Sequence, residues 1–320
     1  MTKKRKRTSI APYVQHLSPS SITSSSSSKH LNLSAYHPDL DHSSLDPTLS
    51  SEYHSLLPQC LVHPSTFPPN MLKYWRHRHS LFSLYSAGCL LDEQSWFSVT
   101  PESVAFRIAR RCASNGAVVD LFSGAGGNAI QFAMTCSKVI AVEVDEVKLR
   151  LARWNARVYG VEERICFVRG DSIEFLQRLK SWREAESESE QGKEVWKGIT
   201  SEDVHAVQAV FLSPPWGGVD YAQPNSTYTL SSIHPIDGTT LFSLVHTAFA
   251  TNNIAYYLPR NTSLPELSHL SALLTTPPSS QSKVKVECNY VNYGSKLSSL
   301  TAYYGALSAD WDDDTDDWRS

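Results

Sequence analysis

The sequence holds no run of roughly 18 consecutive apolar residues, the length that a membrane-crossing helix requires. Its N-terminus is basic, but Ser and Pro follow where a secretory signal would place an apolar stretch, so no such signal is expected. Six cysteines (Cys60, Cys89, Cys112, Cys136, Cys166, Cys288) are scattered without a Cys-x-x-Cys pair. That argues against a disulfide frame or a zinc site and for reduced, mostly buried thiols inside a cell; no metal is expected. Charge is also sparse, at 19% of residues with a net of −3. Such a balance weighs against a protein that coats long nucleic acid through one broad cationic face. What the sequence does hold is a core. With 41% hydrophobic and 10% aromatic residues, 320 positions suffice for one large domain or two small ones.

Charge is unevenly placed. Lys3, Lys4, Arg5, Lys6 and Arg7 supply +5, residues 310–320 carry −5, and residues 8–309 keep a net of −3. Eight of the eleven residues from Ser18 to Ser28 are Ser, and His, Pro and Asp prevail up to Pro64. Residues 1–65 are therefore expected to be a disordered tail, because they cannot bury enough apolar surface to offset their ordering entropy. Its basic pentad suits nuclear import or RNA contact. Residues 309–320 are expected to be an acidic solvated tail, with Trp311 and Trp318 as candidate docking groups.

Residues 66–115 are expected to form a small helical extension that contributes to the site. Residues 71–86 are aromatic and basic, and Thr100-Pro101-Glu102 reads as a helix start with Thr as the cap. Val104, Ile108 and Cys112 then share one face at helical spacing. From residue 116 to 308 short apolar runs (118–122, 139–144, 165–168, 209–213, 254–258) alternate with amphipathic helical stretches. That alternation predicts an α/β domain with a parallel sheet covered on both faces. Two closing strands joined by a short Gly294 connection read as an antiparallel hairpin, and polar residues 183–204 as a surface insertion.

The word Asp120-Leu121-Phe122-Ser123-Gly124-Ala125-Gly126-Gly127-Asn128 follows the first strand and opens a helix. A dinucleotide site would show Gly-x-Gly-x-x-Gly over a pyrophosphate. Here the third glycine is absent, and a carboxylate stands four residues before the first glycine. Asp120 would repel pyrophosphate but suits the ammonium of a methionine moiety, which favours S-adenosylmethionine over NAD. The bland alternative is a glycine-rich turn without a ligand. Glu143, at the end of the second strand, suits two ribose hydroxyls. Asp145 reads as a helix cap. Asp171, at the end of the third strand, is either an acceptor for an adenine amino group or the cap of the next helix.

The fourth strand runs into Ser213-Pro214-Pro215-Trp216. This word resembles the Asp/Asn-Pro-Pro-aromatic motif of methyltransferases that modify exocyclic amino groups. Prolines stiffen the chain and remove donors, so carbonyls and the Ser213 side chain can accept from a target amine while Trp216 stacks on the base. A cationic 7-methylguanine would gain roughly 0.5–2 kcal/mol more from the indole face. A plain Pro-Pro turn is the alternative.

Together with Lys73-Tyr74-Trp75, Leu81-Phe82-Ser83, Trp96-Phe97-Ser98-Val99-Thr100-Pro101, Leu258-Pro259-Arg260-Asn261 and Thr301-Ala302-Tyr303-Tyr304-Gly305, these words resemble the trimethylguanosine synthase family of RNA cap guanine-N2 methyltransferases. The resemblance spans roughly three quarters of the chain, from Lys73 to Leu307. It implies a class I, Rossmann-like, S-adenosylmethionine-dependent methyltransferase fold with a seven-stranded, mostly parallel sheet. It also implies a cofactor pocket lined by Phe97, Thr100, Asp120, Ser123, Gly124, Asn128, Glu143 and Asp171. Ser213, Pro214 and Trp216 would be catalytic, Trp216 stacking on the methylated guanine with Ser213 and Asn155 reading its edge. Tyr221, Arg260 and Lys296 would meet the cap triphosphate. Read alone, Arg260 and Lys296 are surface cations, and Asn155 is a polar group on a helix face.

The implied partners are 7-methylguanosine-capped small nuclear and small nucleolar RNAs and ribonucleoprotein core proteins, with no membrane. The implied place is the nucleus and its nucleolus, and the implied state a monomer. The sequence departs from the family in two places. Cys89 and Leu90 stand where the family often has a basic residue, so one triphosphate contact is missing or replaced by Arg76 or Arg78, and Glu143 stands where Asp is usual. The competing activities are methylation of internal guanine N2 or adenine N6 and, without catalysis, a cap-binding module.

Overall fold

The computed structural model describes residues 47–185, 193–217, 226–274, 284–291 and 294–309. Four short helices come first: α1 (Pro47–Leu56), α2 (Leu72–Arg76), α3 (Arg78–Leu81) and α4 (Ser95–Ser98). The longer α5 (Glu102–Arg111) leads into the alternating part. There β1 (Ser114–Asp120), α6 (Gly127–Thr135), β2 (Cys136–Glu143), α7 (Glu146–Val158), β3 (Ile165–Arg169) and α8 (Ser172–Ala185) follow in turn. A small hairpin, β4 (Glu194–Trp196) and β5 (Ile199–Thr200), and α9 (Ser201–His205) precede β6 (Val207–Leu212). The chain closes with α10 (Gly238–Phe249), β7 (Ile254–Pro259), α11 (Leu264–Leu270), β8 (Lys285–Val291) and β9 (Lys296–Tyr303).

The main sheet has seven strands in the order β3-β2-β1-β6-β7-β9-β8. The first five run parallel, and β9 lies antiparallel to both of its neighbours. This is the seven-stranded class I methyltransferase architecture that the resemblance implied. Strands covered on both faces need apolar side chains on both, and all six residues of β7 are buried. One apolar cluster lies under α5, α6 and α7, and a second under α8, α10 and α11. Strand order reverses at β1, so the β1–β6 seam is the switch point where open α/β sheets bind ligands, beyond the carboxyl ends of the strands.

Three expectations need correction. The tail does not extend to residue 65: α1 is ordered, with Tyr53 and Leu56 fully buried in the first cluster. Tyr53 packs on Trp154 of α7 at 5.4 Å, and Glu52 pairs with Arg157 at 2.6 Å. These partners lie some hundred residues downstream, where local composition cannot reveal them. Residues 183–204 are also not a plain surface insertion. Within it α8 runs on to Ala185, and Trp196 is buried and stacks on Phe175 with ring centroids 4.9 Å apart. Finally, Thr100 does not cap α5; the N-cap is Pro101, and the Thr100 hydroxyl is engaged elsewhere.

The extension and the sheet share one core, which runs from Tyr53 to Leu307. Polar contacts fix the join. Glu102 accepts from the Ser83 amide and hydroxyl and from Tyr159 Oη, and Trp154 Nε1 donates to the Gly88 carbonyl at 2.8 Å. Lys148 Nζ reaches Asp92 Oδ2 at 2.9 Å.

Candidate functional site

The switch point brings the two principal words together. Asp120 ends β1 directly opposite Phe211 of β6, and the Ser213 hydroxyl donates to the Phe122 carbonyl at 3.3 Å. After Asp120 the chain must turn sharply back into α6. Gly126 makes this possible: its φ is +91°, and a Cβ there would stand 3.0 Å from Ala152 Cα, so only glycine fits against α7.

The loop thus formed buries polar atoms without satisfying them. Asp120 is fully buried; its Oδ1 takes the Phe122 amide at 3.4 Å, and its Oδ2 has no partner. Burial pushes its carboxyl up to about 7, opposed by the Phe122 and Ala129 amides and reinforced by nearby Glu143. Ser123 Oγ and Asn128 Oδ1 are likewise buried without partners. Asn128 Nδ2 donates to Thr100 Oγ1 at 3.0 Å, which joins the wall of the extension to the head of α6. Leaving a buried acceptor unpaired costs about 1–3 kcal/mol, so three in one loop fit a ligand with several donors, one of them cationic.

Glu143 is held in place. Its Oε2 accepts from the Gly124 amide at 2.8 Å and its Oε1 from the Asp145 amide at 2.9 Å. Burial raises its pKa, opposed by those two amides. Asp145 caps α7 through the Val147 and Lys148 amides, as its position suggested. Asp171 Oδ1 likewise accepts the Ile173 and Glu174 amides at 2.8 and 2.9 Å, so at least that oxygen caps α8. Phe97 is 42% exposed beside Tyr74, with ring centroids 6.4 Å apart.

At the other side of the seam, Pro214 is buried and Trp216 is half-buried, its indole 5.2 Å from the Tyr257 ring at 39°. Tyr228 Oη donates to the Trp216 carbonyl at 3.2 Å, a contact that no local signal announces. The His234 amide donates to the Pro215 carbonyl at 3.4 Å. Arg260 follows β7 and Lys296 opens β9, so both stand at the carboxyl edge of the sheet; Lys296 is exposed. Tyr221 lies outside the described residues.

One residue is placed otherwise than the resemblance implied. Asn155 is fully buried, its Oδ1 takes the Leu90 amide at 2.8 Å, and its Nδ2 donates to the Leu90 and Ala125 carbonyls at 3.0 Å each. With both amide hydrogens used inside the fold, Asn155 does not read a guanine edge; it ties the extension to the glycine loop. Leu90 and Cys89, where a basic residue was expected, are fully buried beside it.

Comparison with known proteins bears on this arrangement. The profile of a family described as RNA cap guanine-N2 methyltransferase matches residues 115–307. The trimethylguanosine synthase of Schizosaccharomyces pombe is 34% identical over 226 residues, covering 69% of this chain and 84% of the relative. That of Saccharomyces cerevisiae is 33% identical over 213 residues, covering 65% of this chain and 60% of the relative. A crystal structure described as a methyltransferase from Porphyromonas gingivalis W83 superposes with a TM-score of 0.52 at 13% identity, over 83% of this chain and 60% of that one. That likeness concerns the fold alone.

Proposed function

Since the chain belongs to the RNA cap guanine-N2 methyltransferase family, we propose that it uses S-adenosylmethionine to dimethylate N2 of a 7-methylguanosine cap, giving a 2,2,7-trimethylguanosine cap. The observation that carries this reading is the pairing, across one strand seam, of the unsatisfied Asp120 loop with the Ser213-Pro214-Pro215-Trp216 word.

S-adenosylmethionine supplies an activated methyl group on its sulfonium when bound. Asp120, Ser123 and Asn128 would receive the donors of its amino-acid end, with Gly124 giving the backbone close approach. Glu143, oriented by two amides, would take the ribose hydroxyls, and the second oxygen of Asp171 would face the adenine end. Phe97 and Thr100 would wall the pocket from the extension.

The Ser213 hydroxyl gives its hydrogen to Phe122, so its lone pairs are left to accept from the guanine N2 amine. The Pro215 and Trp216 carbonyls already have donors, which leaves the Ser213 and Pro214 carbonyls as further acceptors. Trp216 would hold the base by its face, worth about 1–3 kcal/mol in stacking. A bound S-adenosylmethionine would supply the methyl group by in-line displacement, its sulfur leaving as S-adenosylhomocysteine, while these residues would align the N2 lone pair and an N2 proton would leave to water. Orientation rather than a dedicated base does most of the work. Arg260 and Lys296, with Tyr221, would meet the triphosphate. The substrates we propose are small nuclear and small nucleolar RNA caps, and the compartment the nucleus with its nucleolus, consistent with the basic residues 3–7.

The test is methyl transfer to 7-methyl-GTP and to GTP, with the product mass resolved. Transfer of one and then two methyls to 7-methyl-GTP, at least tenfold faster than to GTP, is expected. Equal rates would overturn the cap reading in favour of internal bases. Failure to bind S-adenosylmethionine by calorimetry would turn it toward a cap-binding module.

A further inference from the structure

Residues 8–309 carry a net charge of −3, yet residues 53–91 contain no Asp or Glu. Over those 39 positions stand Lys73, Arg76 and Arg78 together with His54, His63, His77 and His79. Three permanent positive charges without one carboxylate, in an otherwise slightly acidic body, make this the most one-sided stretch between the tails. Resting on the cap reading above, we propose that the exposed basic face of α2 and α3 carries the phosphodiester backbone of the RNA immediately 3′ of the cap.

Geometry supports this in three ways. Lys73 and Arg76 lie three apart on α2, hence on one face, and both are exposed, as are His77 and His79. Neither Lys73 nor Arg76 is in an ion pair among the described residues. Their charges are therefore not neutralised by neighbours.

The face is rigid. Met71 is buried below it, and Trp75 packs on Trp96 and edge-on against Tyr85. Arg78 lies over the Trp75 ring at 4.5 Å and donates to its carbonyl. Lys73 Nζ sits 5.0 Å from the Tyr74 ring centre. Side chains ordered in advance lose less freedom on binding.

The face also adjoins the site. Tyr74 packs beside Phe97, whose segment continues through Val99, against Gly127, to Thr100, bonded to Asn128 at the head of α6. A chain leaving the cap carries one negative charge per nucleotide, and unpaired bases stack on exposed aromatic rings such as that of Phe97. The cations here thus select for a capped strand over a free cap.

The experiment uses the full chain and two substrates, 7-methyl-GTP and an unstructured capped RNA of about ten nucleotides. Wild type should favour the capped RNA in kcat/KM by about tenfold or more. Lys73→Gln should reduce that preference about threefold while leaving 7-methyl-GTP turnover unchanged. The lost phosphate contact should make the log–log salt dependence for capped RNA shallower by about 0.7. Lys73→Glu should lower capped-RNA turnover further and still spare 7-methyl-GTP. An unchanged preference and salt slope in both variants, equal losses on both substrates, or no preference in wild type would each overturn the inference. Absence of 7-methyl-GTP turnover in wild type would instead overturn the cap reading on which it rests.

Discussion

Two regions that flank α7 treat buried polar atoms in opposite ways. In the glycine loop, Asp120 Oδ2, Ser123 Oγ and Asn128 Oδ1 are buried without partners. At the seam with the extension, the amide of Asn155 makes three hydrogen bonds and Trp154 Nε1 a fourth. Both regions are buried beside one core, so burial alone does not separate site from scaffold. In this pair the difference is satisfaction: the paired amide of Asn155 joins the extension to the loop, and the unpaired atoms stand at the switch point of the sheet.

The largest test of this contrast is Asn155→Ala. It removes one side chain but orphans the Leu90 amide and the Leu90 and Ala125 carbonyls together, at a cost of about 3 kcal/mol. Thermal denaturation should show a fall in Tm on the order of 10 °C. A fall of only a degree or two would mean that the seam is not what holds the extension down.

Next comes the pH dependence of the loop. Burial raises Asp120 to about 7, so without a ligand the folded chain holds a proton there that the unfolded chain, at about 3.8, gives up. Stability without cofactor should therefore decline as pH rises from about 4 to about 7 and level off above that. A cationic ligand favours the ionised carboxylate, so S-adenosylmethionine affinity should rise through the upper part of that window, by up to about tenfold per pH unit below 7. Calorimetry from pH 6 to 8 reads this directly. Asp120→Asn should bind weakly and lose the slope; a variant that kept the slope would place the titration elsewhere.

The smallest effect sharpens the comparison most. Ser123→Ala removes a hydroxyl with no partner, so its Tm should change by no more than about 2 °C, while cofactor affinity drops severalfold. A large loss of stability would show that the hydroxyl belongs to the scaffold.

The particulars that sequence made legible are those whose cause is local. Alternating apolar runs set out the sheet, and a carboxylate before glycines marked the loop. A Pro-Pro-Trp word at a strand end marked its partner. The features that escaped have distant causes. Tyr53 and Leu56 sit in a polar stretch and count as core only because Trp154 and its neighbours cover them. Thr100 looked like a cap because Pro101 and Glu102 follow it, but Asn128 claims its hydroxyl across the fold, and Glu102 turns to Ser83 and Tyr159. Asn155 looked like a polar residue on a helix face, or by resemblance a base reader. Only the approach of Leu90 and Ala125 shows that its amide is already used.

The shared core of the extension and the sheet has a consequence for synthesis. The chain emerges with Tyr53, Phe67, Trp75 and Trp96 first, and their seat on α7 follows only with Trp154, roughly a hundred residues after Tyr53. At about 5–20 residues per second, those aromatic helices wait on the order of 5–20 s at the ribosome with nothing to cover them. They are exposed apolar surface before they are core. A shortened chain that began at β1 would face the complementary problem, presenting α7 with its apolar side bare.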